Sequence, residues 1–121
     1  MRELSGTKRF TKVVVKDEPG AGGACHEYYI NGAGTVTPEG PFGEYGYVHF
    51  QNGPIKENGV NGCHQEDLLI IVADRLEGFQ SGEFSCVANG HALQHVYDAI
   101  ECLRLQTKDR VNRGVEGTNQ K

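Results

Sequence analysis

With 121 residues and a net charge of −4, the chain has room for one modest core and lacks the broad positive field of a protein that coats nucleic acid. No stretch approaches the roughly 20 apolar residues of a membrane span, and residues 1–10 carry no apolar signal segment. The four cysteines (Cys25, Cys63, Cys86, Cys102) are therefore expected as free thiols in a reducing cytosol.

In chain order, residues 9–15 read as a β-branched strand ending at a turn over 17–20. Residues 24–30, with Tyr28, Tyr29 and Ile30, form a second candidate that stops at the turn signal Asn31 and Gly32. Residues 35–45 hold two prolines and two glycines and read as loop. A third strand candidate covers 45–51, where large and small groups alternate, and 52–62 is a second Gly/Asn-rich loop. An antiparallel meander is the simplest arrangement of these pieces.

The character of the chain then changes. Eleven of the 17 glycines lie between 20 and 62, whereas six of the seven leucines lie beyond 63, which suits turns and strands giving way to helix. The first helix is predicted over 65–80, with Glu66 and Asp67 favouring its N-terminal dipole and Leu68, Leu69, Val72, Leu76 and Phe79 forming its apolar stripe. Residues 81–84 are a short connection that folds the second helix back on the first. Ser85 is the expected N-cap, Leu93, Val96, Tyr97, Ile100 and Leu103 the second stripe, Asn112 the approximate end and Gly114 the C′ residue. The expected fold is α+β: an N-terminal antiparallel sheet (about 7–62), a C-terminal hairpin of two long helices (about 63–114) and a tail (115–121), all in one domain. The helices differ in length, roughly 25 Å against roughly 40 Å at about 1.5 Å per residue. The second therefore overhangs the first, still carrying Leu103, Leu105 and Val111. An uncovered helical arm is marginal in water, so either the sheet or another subunit must cover it, and another subunit is the favoured expectation.

Two readings of the basic helix end stand side by side. Arg104, Lys108, Arg110 and Arg113 face one acid, Asp109, and such a cluster complements the helix dipole. The same residues suit a phosphate grip: Gln106, Arg110 and Arg113 share one helical face, and arginine presents a planar fork to phosphate oxygens. Asn89 projects near the apolar stripe, either bonding the hairpin loop or facing a ligand. Phe79, across the turn, is either core or a base-stacking ring. Cys25 with His26, Cys63 with His64, and His91 with His95 lack the ligand spacing of a zinc site, so no metal is expected. No triad context or phosphate-loop motif is present, so no catalytic residues are expected.

Residues 50–62 (FQNGPIKENGVNG), the helical hairpin and the ending 110–118 (RVNRGVEGT) resemble the first-described family of Thoeris anti-defence proteins. These are small phage-encoded sponges for the signal nucleotide made by bacterial TIR-domain enzymes, and their hairpin is similar to that of the anti-CBASS sponges, which bind cyclic oligonucleotides. The resemblance covers roughly residues 45–119. It implies ligand pockets at a dimer interface, dimers assembling into hexamers through the helices, and glycocyclic ADP-ribose held without turnover. Some members also bind cyclic di- or trinucleotides at a second site. By position in the hairpin, the family's base-contacting aromatic falls on Phe79, its pocket asparagine on Asn89, and its two arginines on Gln106 and Arg110. Glutamine at 106 departs from that pattern. Loss of one charged donor costs about 1.5–3 kcal/mol, roughly ten- to hundredfold in binding.

The function this implies is sequestration of a cyclic nucleotide immune signal, without a cofactor, in the cytoplasm of the infected host. The partners are the nucleotide and further copies of the chain, with no membrane and no long nucleic acid. Three rivals carry different signatures. A small phosphodiesterase needs an acid/base pair, such as His26 with Glu27, or a metal. A protein-interaction module would use the exposed hairpin. Polynucleotide binding through 104–113 would be steeply salt-dependent.

Overall fold

A computed structural model describes residues 2–4, 11–32 and 44–118. The chain divides into two compact units, Met1–Cys63 and His64–Lys121.

The first unit is a four-stranded antiparallel sheet of β1 (Arg2–Glu3), β2 (Thr11–Val15), β3 (Glu27–Gly32) and β4 (Glu44–His49), in the order β1-β2-β3-β4. It is the expected meander with one strand more. Register is set by large cross-strand pairs: Val15 lies opposite Tyr28, Tyr28 opposite Val48, and Tyr29 opposite Tyr47. Such pairs are the unit of sheet stabilisation. The Tyr29 and Tyr47 rings are 4.9 Å apart, Lys16 donates to the Tyr29 hydroxyl at 3.1 Å, and Tyr47 donates to Glu27 at 2.8 Å. The Glu27 hydrogen bond, with burial and the carboxylate's charge behind it, holds the Tyr47 phenol above its ordinary range.

The described core of this unit is small: Val14, Val15, Cys25 and His26 are buried. Asp17 organises the chain entering β3, its carboxylate accepting the backbone N–H groups of Glu27 (3.0 Å) and His26 (2.9 and 3.1 Å). Those bonds, the Glu27 one foremost, keep Asp17 below the usual carboxylate range.

Several boundaries differ from the sequence reading. β3 starts at Glu27 instead of 24 and takes in Asn31 and Gly32, both of which pair with β2, opposite Lys12 and Thr11. Glu44 and Tyr45 open β4 rather than closing a loop, while 35–43 of that predicted loop, and 9–10 of the first predicted strand, lie outside the described residues. The predicted loop 52–62 contains a helical turn, α1 (Ile55–Asn58). That segment is closed by polar clasps. Gln51 donates to the Gly59 carbonyl and accepts from the Asn61 N–H, and Asn52 and Asn61 exchange two hydrogen bonds. A bridge between Phe50 and Cys63 seals its ends.

Gly62 makes that bridge possible. A Cβ there would lie 2.5 Å from the His49 carbonyl oxygen and the Phe50 carbonyl carbon, both backbone atoms that cannot swing aside. Gly62→Ala is therefore expected to destabilise the closed loop by about 1–3 kcal/mol. The amides of Gln51 and Cys63, which bond Cys63 O and His49 O, report this by faster hydrogen exchange. Unchanged protection would show that the backbone accommodates the methyl.

The second unit is a helical hairpin of α2 (Gln65–Gln80) and α3 (Val87–Asn112). The His64 backbone N–H donates to Asp67 at 2.9 Å, fixing the start of α2. The N-cap of α3 is Cys86, not Ser85: the Cys86 sulfur accepts the Asn89 N–H at 3.4 Å. Gly114, at φ +74°, ends α3 as expected. The seam between the helices buries Ala73 and Ile100, with Leu69, Leu76, Val96 and Leu103 half-buried. Val72 stands outside the seam, 44% exposed. Residues 68–72 are five consecutive apolar residues, and such a run passes round the helix instead of following one face. Ile70, Ile71, Leu105 and Val111 are exposed as well.

Candidate functional site

The sequence-predicted residues gather at two ends of the hairpin. Phe79 lies in the last turn of α2 and Asn89 in the first turn of α3. The turn between them is built by side chains as well as backbone. Ser81 donates to the Gly78 carbonyl, and Gln80 accepts the Cys86 N–H at 2.9 Å. Gly90 leaves room for the Gln80 amide, to which a Cβ would come within 3.1 Å. Phe79 is half-buried, with Phe84 edge-on at 6.3 Å and the Arg75 guanidinium 4.9 Å from its ring centre. Phe84 is 70% exposed. Arg75 and Phe84 were missed by the sequence reading. Arg75 precedes Phe79 by one helical turn, a spacing that places two side chains together, whereas Phe84 lay in a segment read only as connection. An arginine beside an aromatic pair, one ring half-buried and the other exposed, is suited to a stacked base and a nearby anion.

The second group lies at the far end of α3. Gln106 is exposed. Arg113 caps the helix and pairs with Asp109 at 2.9 Å. Arg110 is more enclosed, its side chain 19% exposed. Its Nε donates to Glu116 at 3.1 Å, and its Nη2 donates to the carbonyls of Val115 (2.9 Å) and Thr118 (3.1 Å). The chain after α3 thus wraps round the Arg110 guanidinium, turning at Gly114 and Gly117, both with positive φ.

The two groups do not meet within one hairpin. Asn89 and Arg110 are 21 positions apart on one continuous helix, a separation of about 32 Å at about 1.5 Å per residue. Two grooves run along the hairpin between them. One, of about 390 Å³, is lined by Ile70, Ala73, Asp74, Glu77, Tyr97 and Arg104, among others. Its Tyr97 hydroxyl donates to Glu77, which holds that phenol above its ordinary range, and its carboxylates oppose a phosphate. The other, of about 480 Å³, is largely apolar, with Leu68, Leu69, Ala99 and Leu103 in its walls. Neither includes Phe79, Asn89 or Arg110.

Among the described residues, no three His, Cys, Asp or Glu side chains converge as a metal site. Cys25, Cys63, Cys86 and Cys102 are free thiols. The pair His26 and Glu27, weighed for acid/base chemistry, is not poised for it: His26 is 5% exposed and Glu27 accepts the Tyr47 hydroxyl. No described helix is long and apolar enough to cross a membrane.

Comparison with known proteins turns up a phage relative. Thoeris anti-defense 1 of Bacillus phage SBSphiJ7 is 42% identical over 86 residues, which cover 71% of this chain. The chain belongs to the Thoeris anti-defence family. The matched stretch spans 61% of the length of that relative. No family model matches the chain. As a Thoeris anti-defence family member, the chain places its sequence-derived aromatic, amide and cationic positions at opposite ends of one hairpin, a division that bears on how such a site could be assembled.

Proposed function

We propose that this chain is a phage anti-defence protein that binds a small cyclic nucleotide immune signal, glycocyclic ADP-ribose or a cyclic oligonucleotide, and holds it without degrading it in the cytoplasm of the infected host. The observation that carries the reading is the match to the Thoeris anti-defense 1 protein. Phe79 stacks on the base, Asn89 hydrogen-bonds it, and Arg110 grips phosphate, with Arg113 and Gln106 beside it. The distance along α3 supports a pocket shared between copies. Two α3 helices running antiparallel bring the Asn89 end of one copy to the Arg110 end of another, which one chain alone does not do. The exposed Leu105 and Val111 on the overhanging end of α3 supply apolar surface for such a contact.

The test is ligand retention. The purified protein is incubated with glycocyclic ADP-ribose and with cyclic di- and trinucleotides, freed of unbound ligand and heat-denatured, and the released molecules are weighed by mass spectrometry. Intact ligand in proportion to subunits is expected. Converted product would make the protein an enzyme. An empty protein would favour the rival for which the exposed Ile71, Phe84 and Val87 speak, a hairpin that docks on a host protein.

A further inference from the structure

The Arg110 clasp has a chemical form of its own. Among the described residues, the Glu116 carboxylate and the Val115 and Thr118 carbonyls, all from the chain after α3, converge on one guanidinium at 2.9–3.1 Å. The segment presenting them is braced: Val115 N–H returns to the Arg110 carbonyl at 3.0 Å, and Thr118 N–H to the Val115 carbonyl at 3.1 Å. The Glu116 carboxylate, like a phosphate, is an anionic acceptor that a guanidinium holds by charge-assisted hydrogen bonds. Glu116 is also the partly exposed member of its ion pair, 41% against 19% for Arg110, so it is the side chain open to exchange with solvent.

We propose that Glu116 is an internal competitor for the phosphate site: the tail occupies the Arg110 fork in the empty protein, and an incoming phosphate takes the place of the Glu116 carboxylate. The proposal deepens the functional reading above and rests on its assignment of Arg110 to phosphate. The consequence is selection by charge. A carboxylate brings one negative charge and is tethered six residues from its arginine, so it is always present. A single weak anion gains little by replacing it. A pyrophosphate brings more charge to the same donors. Displacement takes the Glu116 acceptor from Nε while Nη2 stays on the Val115 and Thr118 carbonyls, so occupancy of the site is reported at Nε.

The experiment uses the full chain, with inorganic pyrophosphate as probe. Binding to the natural protein and to Glu116→Gln is measured by calorimetry. The Arg110 Nε–H resonance and the amide exchange of 115–118 are followed in parallel. Glutamine keeps the size of the side chain and removes its charge, so the carbonyl contacts from Val115 and Thr118 still hold the guanidinium. The expected result is pyrophosphate affinity about two- to fivefold tighter in E116Q, the range set by one partly exposed charge pair. In the natural protein, pyrophosphate should shift the Arg110 Nε–H signal while exchange across 115–118 stays slow, held by the Nη2 and backbone contacts. Equal or weaker binding by E116Q would overturn the proposal, the weaker case making Glu116 a positioning residue. Absence of pyrophosphate binding by both proteins would overturn it too. Failure of the functional reading looks different: the nucleotide signals are not retained, while the pyrophosphate response to E116Q is read independently.

Discussion

Arg110→Ala is expected to weaken glycocyclic ADP-ribose binding by roughly ten- to hundredfold, the cost of about 1.5–3 kcal/mol for a charged hydrogen-bonding partner. The substitution also releases Glu116, Val115 and Thr118, so a loss of binding alone does not separate grip from tail order. Two further variants do. Arg110→Lys keeps the charge but not the planar fork, and should recover only part of the affinity. Phe79→Leu leaves the Arg110 end untouched and keeps apolar packing against Phe84, while removing the face on which a base stacks. A stacked base is worth about 1–3 kcal/mol, so a comparable fall is expected from a substitution at the opposite end of the hairpin. Calorimetry on the three variants decides the matter. Unchanged affinity in Arg110→Ala would remove Arg110 from the site, and unchanged affinity in Phe79→Leu would return Phe79 to the hairpin core.

The hairpin was the most legible part of the chain. α2 spans 65–80 as the sequence predicts, because acids at its start and a short polar connection at its end mark both limits. The cap of α3 was misread by one position because oxygen is the usual capping acceptor, and here a sulfur takes that place. β1 has two residues, too few for any periodicity to show. Asn31 and Gly32, read as the stop of the second strand, form its last two paired residues, because ladder partners on β2 take up a backbone that local preference would give to a turn.

Site residues divide in the same way. Phe79 and Asn89 stand where the helical spacing puts them. The clasp on Arg110 was not legible, because two of its acceptors are backbone carbonyls that leave no mark in side-chain identity. The sequence reading gave Arg110 and Arg113 one role from their shared face. The structure distinguishes them, one enclosed by the tail and the other in an exposed pair with Asp109.

Leu105→Glu is expected to separate assembly from fold. α3 has 26 residues against 16 in α2, so about 15 Å of α3 extends past its partner helix at about 1.5 Å per residue. Leu105 and Val111 lie on that extension, 56% and 58% exposed. A charge placed at an exposed position changes the stability of an isolated chain by about 0.5 kcal/mol or less. The same charge placed in an apolar contact between copies must be desolvated without a partner, at a cost of several kcal/mol. The variant should therefore keep its helical circular dichroism while its mass in sedimentation falls to that of one chain. If the pocket is shared between copies, glycocyclic ADP-ribose binding should fall about a hundredfold or more in the same sample, since about 3 kcal/mol of contacts leave with the second copy. Val111→Glu should behave alike. A Leu105→Glu protein that is monomeric and still binds would confine the pocket to one hairpin. A natural protein that sediments as one chain would leave the exposed face of α3 to a different partner.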